Sequence, residues 1–188
     1  GRADGYAARQ LRRWRGQWEL VGPERWCALA RNCFELLEAR APRQVHAGIV
    51  HGDYRLDNTL VDLSGKPEVL AVVDWELSTI GDPVADVAMM CAYRYPAIDL
   101  VVGAPRAWTS DRLPDVDALA TSYEAAGGVP LIDWEFHLAL ANLKIAVAAA
   151  GIDYRWRAGA ASGPGYDTAM QAVEPFLERA AAVAAHIR

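Results

Sequence analysis

The chain has 188 residues, of which 53% are hydrophobic and 23% charged, and its formal net charge at pH 7 is −5. That length can bury one substantial core, and the fractions are those of an ordinary globular protein. The negative charge argues against a nucleic-acid surface, which needs a dense basic patch. The three cysteines form no CxxC pair, which argues against a zinc site and for free thiols in a reducing cytoplasm.

Two amphipathic helices are predicted at the start of the chain. Apolar residues recur at near-helical spacing over residues 5–20 and again over residues 24–40, where Pro23 precedes the helix and Pro42 ends it. The basic residues of the first helix spread over more than one face, so we interpret them as solvated surface. They are Arg9, Arg12, Arg13 and Arg15.

A change of period marks the next segment. Ile49 and Val50 form a short extended run that leads into a loop beginning at His51. Residues 59–63 and 69–73 have the pattern of two strands, and the turn between them predicts a hairpin. Such a hairpin would carry Asn58, at its beginning, back beside Asp74, at its end.

The rest of the chain is predicted to be helical. Asp82 and Pro83 begin a helix that reaches about Tyr95, and residues 97–114 are interpreted as a connecting loop. Two further helices are predicted over residues 115–126 and 133–150, the second ended by Gly151. We interpret the apolar stretch 136–152 as a buried core helix, because it contains polar residues and is shorter than a membrane span.

The last predicted helix covers residues 167–186. Pro175 lies within it and predicts a kink or a break. The expected fold class is α+β, mainly α, with a helical bundle around a small β-hairpin. The chemically interesting residues lie on that hairpin and its loops, where proteins commonly display reactive groups.

The functional signal lies in the run from His51 through Asp53 to Asn58, followed by Asp74 and Glu76. Kinase-type phosphoryl transfer needs a carboxylate that orients the attacking hydroxyl and receives its proton. It also needs an amide and a second carboxylate that hold magnesium beside the nucleotide phosphates. An aspartate after a glycine, such as Asp53, is typical of a turn. Its pairing with Asn58, Asp74 and Glu76 across a hairpin favours a functional role instead. We expect Asp74, after an apolar strand, to be buried, and buried carboxylates need compensation by a cation or hydrogen bonds.

These motifs, with Gly81-Asp82-Pro83 and Asp86, resemble the aminoglycoside phosphotransferase and choline kinase-like superfamily, which has a protein kinase-like fold. Residues 6–18, 77–80 and 154–156 are similar to the branch related to kinase-like domains fused to acyl-CoA dehydrogenases. The resemblance covers nearly the whole chain.

The resemblance implies the C-terminal lobe of a kinase-like fold over residues 1–188. Residues 1–45 would be an N-terminal helical segment, 46–96 the catalytic core and 97–188 a helical acceptor-side subdomain. Such kinases have an N-terminal nucleotide lobe with a glycine-rich loop and a lysine. No G-x-G-x-x-G occurs here. Both lysines, Lys66 and Lys144, follow the run from His51 to Asn58, which we call the catalytic loop. The nucleotide lobe is therefore expected to be absent from this chain, and the fragment to be inactive alone.

The resemblance also implies the residues that act on the phosphates. Asp53 corresponds to the catalytic base, and Asn58 and Asp74 correspond to ligands of Mg²⁺ and so to cofactor-binding residues. Glu76 would assist the metal through water or bond nearby backbone. ATP or GTP is the implied phosphoryl donor.

Other loop residues are implied to support the loop or to meet substrate. His51 would hold the catalytic loop in place, and Asp86 would steady it through backbone N–H groups, with an exposed helix acid as the alternative. Arg55 would approach phosphate or substrate, unless it is a surface arginine. Asp57 would be part of the loop structure or contact substrate.

The acceptor side is predicted to lie among the later helices. Candidate residues to line it are Trp108, Trp134, Tyr154, Arg155 and Trp156. Arg155 and Arg157 could meet an anionic acceptor such as an acyl-CoA, by analogy with the fused relatives.

The leading hypothesis is an ATP- and Mg²⁺-dependent small-molecule O-phosphotransferase. Its expected partners are a nucleotide and a small hydroxylated substrate, with no nucleic acid and no membrane, and its expected location is cytoplasmic. The face toward the other lobe is expected to expose apolar side chains and to promote self-association. The alternative is a non-catalytic relative that binds a ligand or partner. A metal-dependent phosphoesterase is disfavoured, because such sites usually recruit several histidines.

Overall fold

The computed structural model describes residues 4–105 and 107–187. The first three residues of the predicted 1–45 segment, Arg106 of the predicted 97–114 loop and the last residue of the predicted 97–188 subdomain lie outside that part. The helices are α1 (Tyr6–Val21), α2 (Cys27–Ala39), α3 (Val84–Ala92), α4 (Ile98–Val102), α5 (Val116–Ala125), α6 (Trp134–Arg157) and α7 (Met170–Ala184). The strands are β1 (Gly48–Val50), β2 (Thr59–Asp62), β3 (Glu68–Val72) and β4 (Thr79–Gly81).

Helix α6 lies at the centre of the core. It packs against α7, α3, α1 and α2, and 16 of its 24 residues are buried. A helix that is apolar on every side must be surrounded, because it has no polar face to present to water. Length and composition alone would let α6 cross a membrane, but 83% of its most apolar window is buried against the rest of the chain, as in a core helix. The interpretation of residues 136–152 as a core helix agrees with this burial.

The strands form two separate antiparallel pairs. The predicted hairpin is confirmed: β2 pairs with β3 from Thr59 opposite Val72 to Asp62 opposite Glu68, with an irregularity between Leu60 and Val61. Strand β1 pairs with β4, a contact that sequence periodicity did not reveal. The β1–β4 pair brings the segment that precedes the catalytic loop beside the segment that follows Asp74.

Three predicted elements have different limits. Helix α6 continues through Gly151 to Arg157, because Gly151 is buried and packing outweighs the poor helix propensity of glycine. The predicted 97–114 loop contains the short helix α4. Helix α7 runs through Pro175 without a break. Pro175 lacks the N–H that would bond the Gln171 carbonyl, and the neighbouring Phe176 and Leu177 are fully buried, so packing outweighs the missing bond.

The three cysteines are free, as predicted. Cys33 and Cys91 are buried and Cys27 is partly buried. Burial raises the pKa of the Cys33 thiol to about 11 and that of Cys91 to about 12, so both remain protonated at neutral pH.

Candidate active site

The catalytic loop is bound to the first turn of α3 through Asp86. Its Oδ2 accepts a hydrogen bond from the His51 N–H at 2.6 Å, and its Oδ1 accepts one from the Gly52 N–H at 2.8 Å. Burial raises the pKa of Asp86, and these two hydrogen bonds oppose that rise. Gly52 has a φ of +89°, and a Cβ there would lie 2.9 Å from the carbonyl oxygen of Leu77. The loop therefore requires both the carboxylate and the glycine to hold its path.

His51 joins the loop to the end of β3. The ring is buried, with Nε2 2.8 Å from the carbonyl oxygen of Val73 and Nδ1 3.3 Å from the backbone nitrogen of Asp53. An N–H on Nε2 with Nδ1 as acceptor satisfies both contacts. The ring also packs against Trp75, with centroids 4.7 Å apart. This arrangement is the one expected of a side chain that holds the loop in place.

The Asp53 carboxylate is surrounded by donors. The hydroxyl of buried Tyr93 donates to its Oδ1. The side-chain amide of Asn58 donates to the Asp53 carbonyl at 2.8 Å and to Oδ2 at 3.3 Å, and Arg55 Nε lies 3.3 Å from the same Oδ2. Burial and the Asp53 charge raise the pKa of Tyr93 well above its ordinary value, so its hydroxyl remains a donor. Asp53 is thus held in one orientation.

The hairpin brings Asn58 beside the approach to Asp74. The Asn58 carbonyl accepts a hydrogen bond from the Val73 N–H at 2.9 Å, so the two predicted metal ligands are joined by adjacent backbone. Asn58 is buried and its amide nitrogen is committed to Asp53, which leaves Oδ1 as its unused ligand atom.

Asp74 is exposed, contrary to the expectation that it is buried at the end of an apolar strand. The expectation was wrong because the apolar face of β3 is itself exposed. Within the described ranges the carboxylate makes no hydrogen bond and no ion pair. Its φ of +66° is uncommon for a residue other than glycine and is strained backbone. An unpartnered carboxylate held in strained backbone is a feature found at functional sites.

The Asn58 amide oxygen and the Asp74 carboxylate are oxygen donors of the kind that magnesium prefers, and they lack the nitrogen or sulfur donors typical of transition-metal sites. In the part of the chain that the structure describes, no group of three or more His, Cys, Asp or Glu side chains converges on a point. Magnesium needs fewer protein ligands, because it keeps several waters and is completed by substrate phosphates. Glu76, in the 75–77 turn, is exposed and makes no hydrogen bond to the described residues, so a role through water remains a prediction.

The other side of the loop is lined by Arg55, Asp57 and Trp108. Arg55 Nη1 lies 3.8 Å from Asp57 Oδ2, and the indole Nε1 of Trp108 lies 3.5 Å from the same oxygen. Trp108 is buried, and its ring lies 6.1 Å from that of Tyr93. Of the predicted acceptor-side aromatic residues, Trp108 is the one that the structure brings to the catalytic loop.

The remaining acceptor-side candidates lie elsewhere. Arg155 and Trp156 are exposed at the end of α6, and Arg155 is about 16 Å farther along that helix than Lys144, which lines a cavity beside Gly52. Tyr154 is exposed on the same turn, and Trp134 packs against the core at the other end of the helix. Arg157 pairs with Asp153. The structure does not assemble these residues around Asp53, because Gly151 did not end the helix and they continue along its axis.

Sequence reasoning missed Tyr93. A signal was available, since Tyr93 follows Asp86 by seven positions, or two helical turns, and so lies on the same side of α3. Lys144 lies within the predicted apolar helix, and the sequence did not predict its position behind the catalytic loop.

Comparisons with known proteins agree with this geometry. The family model described as "Phosphotransferase enzyme family" matches residues 1–121. Acyl-CoA dehydrogenase family member 10 of Mus musculus is 37% identical over 166 residues, which is 86% of this chain and 15% of that protein. Acyl-CoA dehydrogenase family member 11 of Homo sapiens is 29% identical over 177 residues, which is 93% of this chain and 23% of that protein.

A solved structure extends the comparison to the fold. It comes from Ralstonia eutropha JMP134 and is provisionally described as an aminoglycoside phosphotransferase. It superposes with a TM-score of 0.83 at 31% identity, over 100% of this chain and 58% of that one. The chain thus spans less than a quarter of the two curated relatives and just over half of the solved one.

Proposed function

The chain belongs to the phosphotransferase enzyme family and forms a helical lobe of a kinase-like fold, and from this premise we propose that it catalyses ATP- or GTP-dependent phosphorylation of a hydroxyl on a small molecule. The observation that carries the proposal is the single constellation around Asp53. A half-buried carboxylate is oriented by Tyr93 and Asn58, and Asn58 is joined through adjacent backbone to the unpartnered Asp74.

Asp53 is the proposed proton acceptor. Tyr93 donates to its Oδ1, while Asn58 and Arg55 lie against Oδ2, and each carboxylate oxygen has two lone pairs, so the carboxylate keeps room to accept a bond from an acceptor hydroxyl. A hydroxyl bonded there is oriented for attack and gives up its proton as the phosphoryl group transfers. Positioning of this kind, rather than covalent chemistry, supplies most of the catalysis in phosphoryl transfer.

Asn58 Oδ1 and the Asp74 carboxylate are the proposed holders of Mg²⁺. When bound, the ion neutralises charge on the nucleotide phosphates. The contribution of the chain itself is to fix the two ligand atoms: Asn58 through its bonds to Asp53 and Val73, and Asp74 through its left-handed backbone.

The proposed acceptor is a small hydroxylated molecule, with an acyl-CoA-like compound as one class to examine. Arg55, which is about a quarter exposed, lies with its guanidinium carbon 5.7 Å from the centre of the Tyr93 ring. A cation beside the proposed base favours an acceptor that carries a negative group near the reacting hydroxyl. The names of the acyl-CoA dehydrogenase relatives are a reason to include hydroxyacyl-CoAs.

The proposal is tested by phosphotransfer from Mg-ATP and Mg-GTP to a panel of hydroxylated metabolites and hydroxyacyl-CoAs. The assay uses the longest natural protein that contains these 188 residues, and the 188 residues alone. We expect Asp53→Asn to lose at least 100-fold in kcat, the lower limit of a typical general-base contribution. Asp167→Asn, at an exposed position shortly before α7, is the matched control and should keep full activity.

We expect the 188 residues alone to show little turnover, because no glycine-rich loop or strand lysine precedes Asp53 in this sequence. Full turnover by the 188 residues would contradict this part of the proposal. Nucleotide binding without phosphotransfer to any acceptor, unchanged in Asp53→Asn, would instead support a non-catalytic binding protein.

A further inference from the structure

A small cavity lies behind the catalytic loop, between α1, β4 and α6. Its volume is about 60 Å³, about the room of two water molecules at liquid density. Gly52 forms one wall, Thr79 another, and Lys144 of α6 lines it together with Gln10 and Arg13 of α1. The cavity is separate from the proposed metal ligands, neither of which lines it.

Lys144 brings a buried charge to this cavity. The residue is only 8% exposed, and its Nζ lies 5.7 Å from the ring centre of Trp14, which also lines the cavity. Across residues 4–105 and 107–187 the ammonium has no hydrogen-bond acceptor and no ion-pair partner. Burial lowers the pKa of Lys144 to about 8. A buried ammonium without an acceptor is unfavourable, so the site calls for a counter-charge.

Gln10, Arg13 and Thr79 offer hydrogen-bond donors to the cavity. Tyr6, which carries a hydroxyl, also lines it. The oxygen of the Gln10 amide accepts from Trp14 Nε1 at 3.1 Å, which leaves its NH₂ group unused. Arg13 is exposed and places a second positive charge beside the cavity, and Thr79 adds a hydroxyl. No carboxylate is among the described residues that line the cavity.

Nearby acids do not satisfy the ammonium. The Asp86 charge favours the protonated form of Lys144, but both oxygens of Asp86 already accept hydrogen bonds from His51 and Gly52. Asp53 acts on Lys144 in the same direction and more weakly. Both acids oppose an anion in the cavity, whereas Arg13 favours one.

We propose that this cavity binds one small inorganic anion, no larger than phosphate, with Lys144 as its principal ligand. Two positive side chains, Lys144 and Arg13, and two polar donors, Gln10 and Thr79, match the negative charge, and the volume suits one small anion. Because Gly52 forms a wall, the bound anion lies directly against the backbone of the catalytic loop. This inference does not depend on the proposed phosphotransferase activity.

Thermal unfolding of the chain at pH 7, titrated separately with sodium chloride and sodium phosphate, tests the proposal. Sodium gluconate, whose anion is too large for the cavity, keeps the ionic strength constant. We expect a saturable rise in Tm for at least one of the two anions. The rise should be about 3–6 °C when the anion is tenfold above its Kd. Lys144→Met should abolish the saturable rise, and Lys66→Met, in the exposed hairpin turn, should retain it.

A second measurement decides the question if Lys144→Met does not fold. In the unmodified chain, the amide resonances of Gly52 and Thr79 should shift saturably with the anion, while that of Gly127, in an exposed loop, should not. The proposal is overturned if neither anion gives a saturable response, or if Lys144→Met responds as the unmodified chain does. In either case the cavity holds only water.

Discussion

The helical core and the hairpin between the candidate residues Asn58 and Asp74 are built from similar amino acids, yet they differ strongly in burial. Helix α6 is buried along two thirds of its length, whereas none of the nine residues of β2 and β3 is buried. Leucine and valine occur in both regions. These side chains are buried in α6 and exposed to water in the hairpin. The presence of leucine and valine in a sequence therefore does not by itself locate a core.

The comparison shows where stability and chemistry lie. The helices supply nearly all the buried apolar area, and the hairpin is held to them by a few hydrogen bonds. Asp86 of α3 accepts two hydrogen bonds from the catalytic loop. The loop is in turn bonded to Val73, at the end of the hairpin, through His51 and through the Asn58 carbonyl. The exposed β2–β3 hairpin leaves the candidate functional groups accessible, while the helical core fixes their positions.

The largest expected effect on stability comes from a substitution that creates a cavity in the core. Phe176 on α7 is fully buried, so Phe176→Ala should lower the free energy of unfolding by about 3–5 kcal/mol. Leu63→Ala beside the hairpin, where the side chain is 74% exposed, should change it by less than about 0.5 kcal/mol. Urea denaturation of both variants measures the contrast. Equal losses would mean that the hairpin contributes to the core after all.

Lys144 offers a second way to examine the core, because it places a charge there. Below pH 8 it is protonated in both the folded and unfolded states. Between about pH 8 and 10.5 the folded chain releases the proton while the unfolded chain keeps it. The unfolded state then binds more protons, so stability should rise with pH across this window.

The size of that rise follows from the difference between the two pKa values. It should reach about 3 kcal/mol for the unmodified chain relative to Lys144→Met. Urea denaturation at several pH values in buffer free of chloride and phosphate measures it, and groups common to both proteins cancel. Parallel curves for the two proteins would show that Lys144 is not desolvated.

The attachment between the two regions can be weakened selectively at Asp86. Asp86→Asn keeps one acceptor but turns an NH₂ group toward a backbone N–H, so one loop hydrogen bond should be lost at a cost of about 1–3 kcal/mol. Hydrogen exchange at the His51 and Gly52 amides should accelerate while the amides of α6 stay protected. Asp167→Asn, at an exposed position, serves as the control. Uniform loss of protection would mean that the loop and the core unfold together.

The smallest expected change concerns the exposed face of the hairpin. Leu70 is 65% exposed, so Leu70→Lys should alter stability by less than about 0.5 kcal/mol. It should also reduce self-association in sedimentation experiments, because it places a charge among the exposed apolar side chains of the hairpin. Unchanged association would show that the face is not used between copies of this chain.

Local signals predicted more than long-range ones. The hairpin and the closeness of Asp53 to Asn58 follow from short spacings in the sequence, so the sequence was sufficient for them. The loop contacts of Tyr93 and the cavity position of Lys144 depend on which helices pack together, and no local pattern records that. Burial of Asp74 was inferred from the apolar residues of β3 that precede it. That inference was wrong, because the exposure of β3 depends on how the whole chain folds.

Asp74 also has a consequence for protein engineering. A glycine at that position would adopt a φ of +66° without strain, whereas aspartate resists it. Directed evolution for heat resistance alone would therefore favour Asp74→Gly and discard the carboxylate. A library screened at high temperature should keep this codon fixed, or it will return more stable proteins that have lost the proposed metal ligand.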